Sequence, residues 1–420
     1  MLYERWLQIA RSFPREIALR DLYSNRQWTF QELERAVETA GVESGKIAFP
    51  TGVSAEFVLA VLGAWRAGRL VCPMESDQHR TEIKPGLPPE IVHLKMTSGT
   101  TAAPRFVAFT ANQLAADAEN IVATMGLRPD WPNLGVISLA HSYGFSNLIL
   151  PLLLHGIPLI LAGAPLPEIV LRAAATEKEI TLAAVPALWR TWHDAGAIPR
   201  NARLAISAGA PLPVSLEQSI FAAHGLKVHN FYGSSECGGI AYDTGSSARM
   251  DDSCVGSPMR NVNLAVGEHG CLEVRSGAVG QTYWPEPAPT LNNGVFRTND
   301  LAEISYGLVY FRGRAGDQIN VAGRKVSPES IEKVLVAHPG VRECVIFGVP
   351  SSDAQRGDTI VACVSANTSV SGEALKQFLL AQLPAWQVPR EWWLVESLFA
   401  NHRGKLSRAE WRKRYLERTG

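Results

Sequence analysis

Apolar runs of strand length alternate with stretches of helical period over roughly the first 310 residues, at positions 91–96, 106–109, 134–139, 159–162, 182–185 and 204–207. That alternation dictates sheets covered by helices, so the fold class is α/β with a large core. A chain of 420 residues with 46% hydrophobic and 19% charged content fills two or three such cores, at ~150 residues per domain. One helix is readable in detail. Thr110 and Gln113 have capping-box spacing, Leu114, Ala118, Ile121, Val122 and Met125 share a face, and Gly126 stands where a C-terminal cap belongs. The greasiest stretch, 145–164, has about the 20 residues a bilayer span needs, but Pro151, His155, Gly156 and Pro158 interrupt it. A buried helix followed by a buried strand is expected there.

Near residue 312 the texture changes to a polar, glycine-bearing segment, Arg312-Gly-Arg-Ala-Gly-Asp317, followed by a compact α+β unit. The expected domains are therefore 1–312 and 313–420. In the second, Ser327, Pro328 and Glu329 read as an N-cap, a proline at the first helical position and an acid at the positive helix end, opening a helix through Ile331, Val334 and Leu335. Strands are predicted at 344–349, 359–365 and near 391–395, with a helix from 372 to 383.

Forty basic residues balance forty acidic ones. No net field attracts nucleic acid or an anionic membrane, so an anionic ligand must be met by local groups. The six cysteines form no CxxC pair and are too sparse for a disulfide scaffold, which points to a reducing compartment and gives no support to structural zinc. The N-terminal stretch carries charges every few residues and lacks the apolar core of a secretory signal, so a cytoplasmic protein is expected.

Thr97, Ser98, Gly99, Thr100, Thr101, Ala102, Ala103, Pro104 and Arg105 lie between two predicted strands. Hydroxyls and amides of such a segment can wrap phosphates, with Arg105 as a fixed cation, or the segment is a solvated polar hairpin. It is not a Walker A loop, because GxxxxGK[ST] is absent. Tyr232, Gly233, Ser234, Ser235 and Glu236 end a predicted strand in a small-residue turn that presents one carboxylate. Glu236 is a candidate magnesium ligand, since that ion takes one or two protein carboxylates, phosphates and waters; it is equally a candidate turn cap. Asp300, Arg314 and Lys405 are weak signals singly.

In order, these segments resemble the adenylate-forming superfamily of acyl-CoA synthetases, luciferases and peptide-synthetase adenylation domains, from about residue 25 to 410. Residues 97–105 match the phosphate loop TSGTTGxPK. Ser207, Ala208, Gly209, Ala210, Pro211 and Leu212 are similar to the adenine-side strand and turn, and 231–236 to the YGxTE segment. Thr298-Asn-Asp300 is similar to the TGD element whose acid binds ribose hydroxyls, Gly313-Arg314 to the GR ahead of the hinge, and Gly404-Lys405 to the GK bearing the catalytic lysine.

The resemblance implies a two-step reaction in which a carboxylate attacks the α-phosphate of Mg-ATP, releasing pyrophosphate, and a thiol of coenzyme A or a carrier-protein phosphopantetheine then displaces AMP. Lys405, Thr100, Thr101 and a metal at Glu236 would stabilise the charge developing on phosphorus. The small domain would act as a lid that swings between the two steps. Ala102, Arg105 and Phe106 depart from the phosphate-loop pattern, and Gly316 and Asn320 depart from the hinge pattern.

His141 lies in a segment resembling the HxxG element beside the substrate carboxylate. No acid lies between Leu134 and Leu166 to pair with an ammonium, so an aryl or medium acyl acid lacking an α-amino group is expected. Tyr143, Phe145, Ser207, Gly238 and Gly239 are the candidate substrate residues. An amino-acid-activating unit and a non-catalytic nucleotide-binding homologue are the alternatives.

Overall fold

The computed structural model describes residues 1–41, 45–78, 80, 82–97, 105–351, 357–367, 370–398 and 407–419. The chain divides into two compact units. The greater comprises Met1–Ala265, Glu273–Arg297 and Ile304–Tyr310, and the lesser Val266–Leu272, Thr298–Glu303 and Phe311–Gly420.

The greater unit is built on a sheet with six parallel strands side by side: Val228–Ser234, Ala202–Ser207, Ile180–Ala184, Asn133–Gly135, Leu159–Leu161 and Ile17–Asp21. Antiparallel strands extend it, Arg26–Thr29 at one side and Gly238–Tyr242 followed by Cys254–Pro258 at the other. Strand Ile180–Ala184 is buried at all five positions, as a parallel strand covered on both faces must be. A second sheet runs in the order Thr282–Trp284, Arg105–Thr110, Ile91–Thr97, Leu70–Val71, Ile47–Ala48.

The predicted helix is Ala111–Met125, with both arms of the Thr110/Gln113 capping box formed and Gly126 left-handed at φ 68°. Its buried face is wider than the apolar pattern, because Asp117 and Asn120 are buried as well. The strand expected at 134–139 is only Asn133–Gly135. The apolar stretch after it forms helix Ser142–Gly144, π-helical turn Phe145–Ile149, helix Leu150–His155 and strand Leu159–Leu161. Among the described residues no helix is long and apolar enough to cross a membrane.

In the lesser unit, strands Val341–Pro350, Asp358–Ala366 and Glu391–Val395 form a sheet packed by helices Pro328–Val336, Gly372–Leu380 and Arg408–Thr419. Ser327 precedes the first helix as expected, but its hydroxyl donates to Glu329 Oε2 at 2.5 Å instead of accepting from a backbone amide. Arg408 opens the last helix and ties the unit together. Its guanidinium meets Asp317 at 2.5 Å, Glu329 at 3.0 Å and Glu332 at 2.9 Å, and its Nε donates to Ile346 O at 2.8 Å. Burial pushes the Glu332 carboxyl above its ordinary range, with Arg408 and the Ile346 amide opposing that shift. Replacing Arg408 by methionine removes the cation that these three acids share. Urea unfolding of the full chain is expected to show a loss near the lower end of ~3–5 kcal/mol; a loss below ~1 kcal/mol would make Arg408 an ordinary surface ion pair.

Candidate active site

In an open α/β sheet, ligands gather outside the carboxyl ends of the parallel strands. Here the ends of three neighbouring strands are bound together by Tyr143, whose hydroxyl lies 3.4 Å from Ala184 O and 3.3 Å from Ile206 O. Its ring stands 5.9 Å from that of Phe231, and burial raises its phenol well above the ordinary value. Ser207 is fully buried at the same strand end, and among the described residues its hydroxyl has no hydrogen-bond partner. The turn after it carries Gly209 at φ +88°. Gly209 and Pro211 are exposed and Ala210 is half-buried, so this turn is a rim.

The turn bearing Glu236 joins Val228–Ser234 to Gly238–Tyr242, with Gly233 opposite Gly239 and Tyr232 opposite Ala241. The Glu236 amide donates to Ser234 Oγ at 3.2 Å, and its carbonyl accepts from Gly280 N at 2.8 Å. Ser235 and Glu236 are half-buried. The Glu236 carboxylate accepts from the Tyr283 hydroxyl at 3.2 Å, and the Arg105 guanidinium lies 3.5 Å from the centre of the Tyr283 ring. Burial and the neighbouring Glu236 push the Tyr283 phenol up. Two segments singled out by sequence thus meet on a residue that sequence reasoning missed. Tyr283 sits in an edge strand paired with Val107, and nothing in its local pattern distinguishes it from core filling.

Thr97 Oγ1 donates to Arg105 O at 3.0 Å. Ser98, Gly99, Thr100, Thr101 and Ala102 lie outside the described residues, as does Lys405. Glu236 suits magnesium chemically: it is a half-buried single carboxylate with one oxygen engaged by Tyr283.

On the acid side, His141 Nε2 lies 2.9 Å from Glu75 Oε1, which also accepts from Ser138 Oγ at 2.5 Å. The acid missing from 134–166 is supplied from a loop some sixty residues earlier, which no local pattern foretells. Phe145 is not at a surface. It is fully buried, 4.4 Å from the His93 ring and 6.4 Å from that of Phe57, and so packs the core behind any pocket wall. Gly238 and Gly239 are also interior. Gly238, at φ +67°, lies where a Cβ would overlap the Asp117 carboxylate, and a Cβ on Gly239 would overlap the Met259 sulfur.

In the lesser unit, Arg314 Nε donates to Asp300 Oδ1 at 3.0 Å, and the Asp300 amide donates to Thr298 Oγ1 at 3.0 Å. Gly313, at φ +107°, lies where a Cβ would overlap the Ser327 hydroxyl.

A greater α/β unit built on a parallel sheet and a smaller α+β unit are the fold of an adenylate-forming enzyme. Residues 86–288 match the AMP-binding enzyme family, and residues 330–405 match the AMP-binding enzyme C-terminal domain. Feruloyl-CoA synthase from Amycolatopsis sp is 27% identical over 91% of this chain and 81% of its own length. Fatty acid–[acyl-carrier-protein] ligase ScoC from Streptomyces coeruleorubidus is 29% identical over 84% of this chain and 71% of its own length. ATP-bound MatB from Rhodopseudomonas palustris has the same fold, with a TM-score of 0.86 over 99% of both chains at 20% identity. The chain belongs to the AMP-binding enzymes, and it is an ATP-dependent, AMP-forming acid–thiol ligase as its resemblance implied.

Gly238→Ala separates the packing role of this glycine from a pocket-wall role. Strain at positive φ and overpacking against Asp117 are each of order 1–3 kcal/mol. The variant is expected to lose about that much in urea unfolding, whereas a wall residue would change acid preference at unchanged stability.

Proposed function

We propose that this ligase activates an aryl or medium acyl acid without an α-amino group. The acid becomes an acyl-adenylate with release of pyrophosphate, and the acyl group passes to a thiol of coenzyme A or of a carrier-protein phosphopantetheine. The observation that carries this reading is the Arg105–Tyr283–Glu236 chain of contacts. It sets one cation and one carboxylate against a phenol, with the cation at the end of the 97–105 segment, whose composition suits a triphosphate. In this reading Glu236 holds magnesium, which supplies charge neutralisation on the phosphates. Residues 1–312 bind ATP and the acid, and residues 313–420 form the lid carrying Lys405. Ser98, Gly99, Thr100 and Thr101 donate to the phosphates, and Thr97, whose hydroxyl is held by Arg105 O, borders them. Gly209, Ala210, Pro211, Tyr232, Gly233 and Ser235 flank the nucleotide, and Asp300, braced by Arg314, accepts from ribose hydroxyls.

The proposed relatives' substrates fit this assignment, since feruloyl and fatty acids both lack an α-amino group. Both classes of acceptor also occur among the relatives: coenzyme A in one name and an acyl carrier protein in the other. Glu75 is the observation that favours the second reading, an amino-acid-activating unit, because a carboxylate beside His141 can meet an ammonium. Its Oε1 is already taken by His141 and Ser138, which weighs for the first. All six cysteines carry free thiols, in keeping with the cytoplasm.

ATP–pyrophosphate exchange on a panel of aryl, fatty and amino acids ranks these readings. Exchange is expected with aryl or medium acyl acids. A preference for amino acids would install the second reading, and no exchange above a Lys405→Ala control would leave a non-catalytic nucleotide binder. Lys405→Ala is expected to lower exchange by ~10²–10³-fold, the order of one electrostatic transition-state group, with ATP affinity retained; an equal loss of affinity would make Lys405 structural.

A further inference from the structure

We infer that Asp117 is a positioning residue for the adenylation site, a buried carboxylate that fixes the Glu236 turn relative to the strand ending at Thr97 and the segment carrying His141. The inference rests on the reading just given.

Asp117 is 1% exposed on helix Ala111–Met125, and its partners come from three other segments. Oδ1 accepts from the Gly239 amide at 3.3 Å, three residues beyond Glu236. Oδ2 accepts from Ser146 Oγ at 2.6 Å, five residues beyond His141. Lys95 Nζ donates to Ser146 Oγ at 3.1 Å, lies 3.5 Å from Asp117 Oδ2 and sits 4.6 Å from the centre of the Phe109 ring. Lys95 is itself 4% exposed and stands two residues before Thr97. The carboxylate seats so closely against the Glu236 turn that position 238 has no room for a Cβ.

The fold alone gives little reason for this pair. Taking two charges out of water costs several kcal/mol per ion, and apolar side chains of like volume serve a core as well or better. What a carboxylate with three directional partners supplies is geometry. It has acceptor directions that apolar packing lacks, and it fixes the relative register of segments that bear Thr97, His141 and Glu236. Adenylation depends on that register, because positional errors near 1 Å are enough to cost ~10²-fold in rate.

The test compares the wild-type chain with Asp117→Asn, with Lys95→Met/Asp117→Asn and with Ser146→Ala. Asparagine keeps an acceptor for Gly239 and can donate to Ser146. The double variant also removes the lysine that would otherwise be left as an unpaired buried charge, and Ser146→Ala deletes one hydroxyl and no charge. Each is read in three ways: thermal midpoint, ATP–pyrophosphate exchange with the best acid of the panel, and amide hydrogen exchange over 234–240 without nucleotide or metal. Asp117→Asn is expected to lower the thermal midpoint and to lower kcat by ~10–100-fold, with KM for ATP within about threefold. The double variant should recover the midpoint but not kcat, and residues 234–240 should exchange faster at matched stability. Ser146→Ala should change in the same direction by a smaller factor, and it carries the comparison if the charge variants do not fold. The inference is overturned if kcat returns with the midpoint, or if a folded variant keeps wild-type kcat and wild-type exchange over 234–240. A wild-type chain inactive on the whole panel overturns the proposed function instead, and the hydrogen-exchange arm still decides whether Asp117 holds the turn.

Discussion

Six parallel strands hydrogen-bonded side by side bring their carboxyl ends to a single edge, and the Tyr143, Ser207 and Glu236 parts of the candidate site are elaborations of that edge, met by Arg105 and Tyr283 from the second sheet. The Tyr143 hydroxyl reaches two of those ends, at Ala184 and Ile206, and its ring packs beside Phe231 on a third. The Glu236 turn is the continuation of the Val228–Ser234 strand beyond the same edge. Because the ladder sets which strands end side by side, residues from 143, 207 and 231–236 are neighbours in space despite long separation in the chain.

A chain with equal numbers of acids and bases has no overall field with which to hold a polyanion. Local arrangement has to provide one. Arg105 faces the Tyr283 ring at 3.5 Å, a distance at which the ring's negative face attracts a cation. The Tyr283 hydroxyl at the same time donates to Glu236. A single aromatic side chain therefore contacts a cation with its face and an anion with its hydroxyl.

What the sequence revealed of this arrangement follows the range of the interactions involved. Thr110, Gln113 and Gly126 act within a turn of their own helix, so spacing alone located that helix end to end. The burial of Leu182, Ala183 and Ala184 likewise follows from an apolar run, whereas that of Thr181 does not. Tyr283, Glu75 and Asp117 act across 47, 66 and 122 positions on Glu236, His141 and Gly239. Periodicity carries no such information, and a buried aspartate even contradicts the apolar face on which it lies. The same reason explains Phe145, Gly238 and Gly239. An aromatic near a motif and a glycine pair after one suit a pocket wall, and only the approach of His93, Asp117 and Met259 turns them into interior packing. The Ser327 hydroxyl was diverted by a carboxylate two residues away, a local competitor that the capping pattern does not weigh.

The pairing of His141 with Glu75 bears on how a carboxylate enters the site at all. A substrate anion arriving beside an uncovered glutamate would meet repulsion that no net positive field offsets. At 2.9 Å the imidazole Nε2 is engaged with Glu75 Oε1, and the Ser138 hydroxyl donates to the same oxygen, so the glutamate's charge is turned inward onto two donors. With Nε2 so occupied, the imidazole presents its other nitrogen, about a third of the side chain being open to solvent. An acid that brings only a carboxylate and an apolar body needs nothing more from this corner. One that also brought an ammonium would compete with His141 and Ser138 for the same carboxylate oxygen. Under the proposed reading, the pair therefore selects against amino acids by being already satisfied, with the same carboxylate that looks at first like a counter-ion for them.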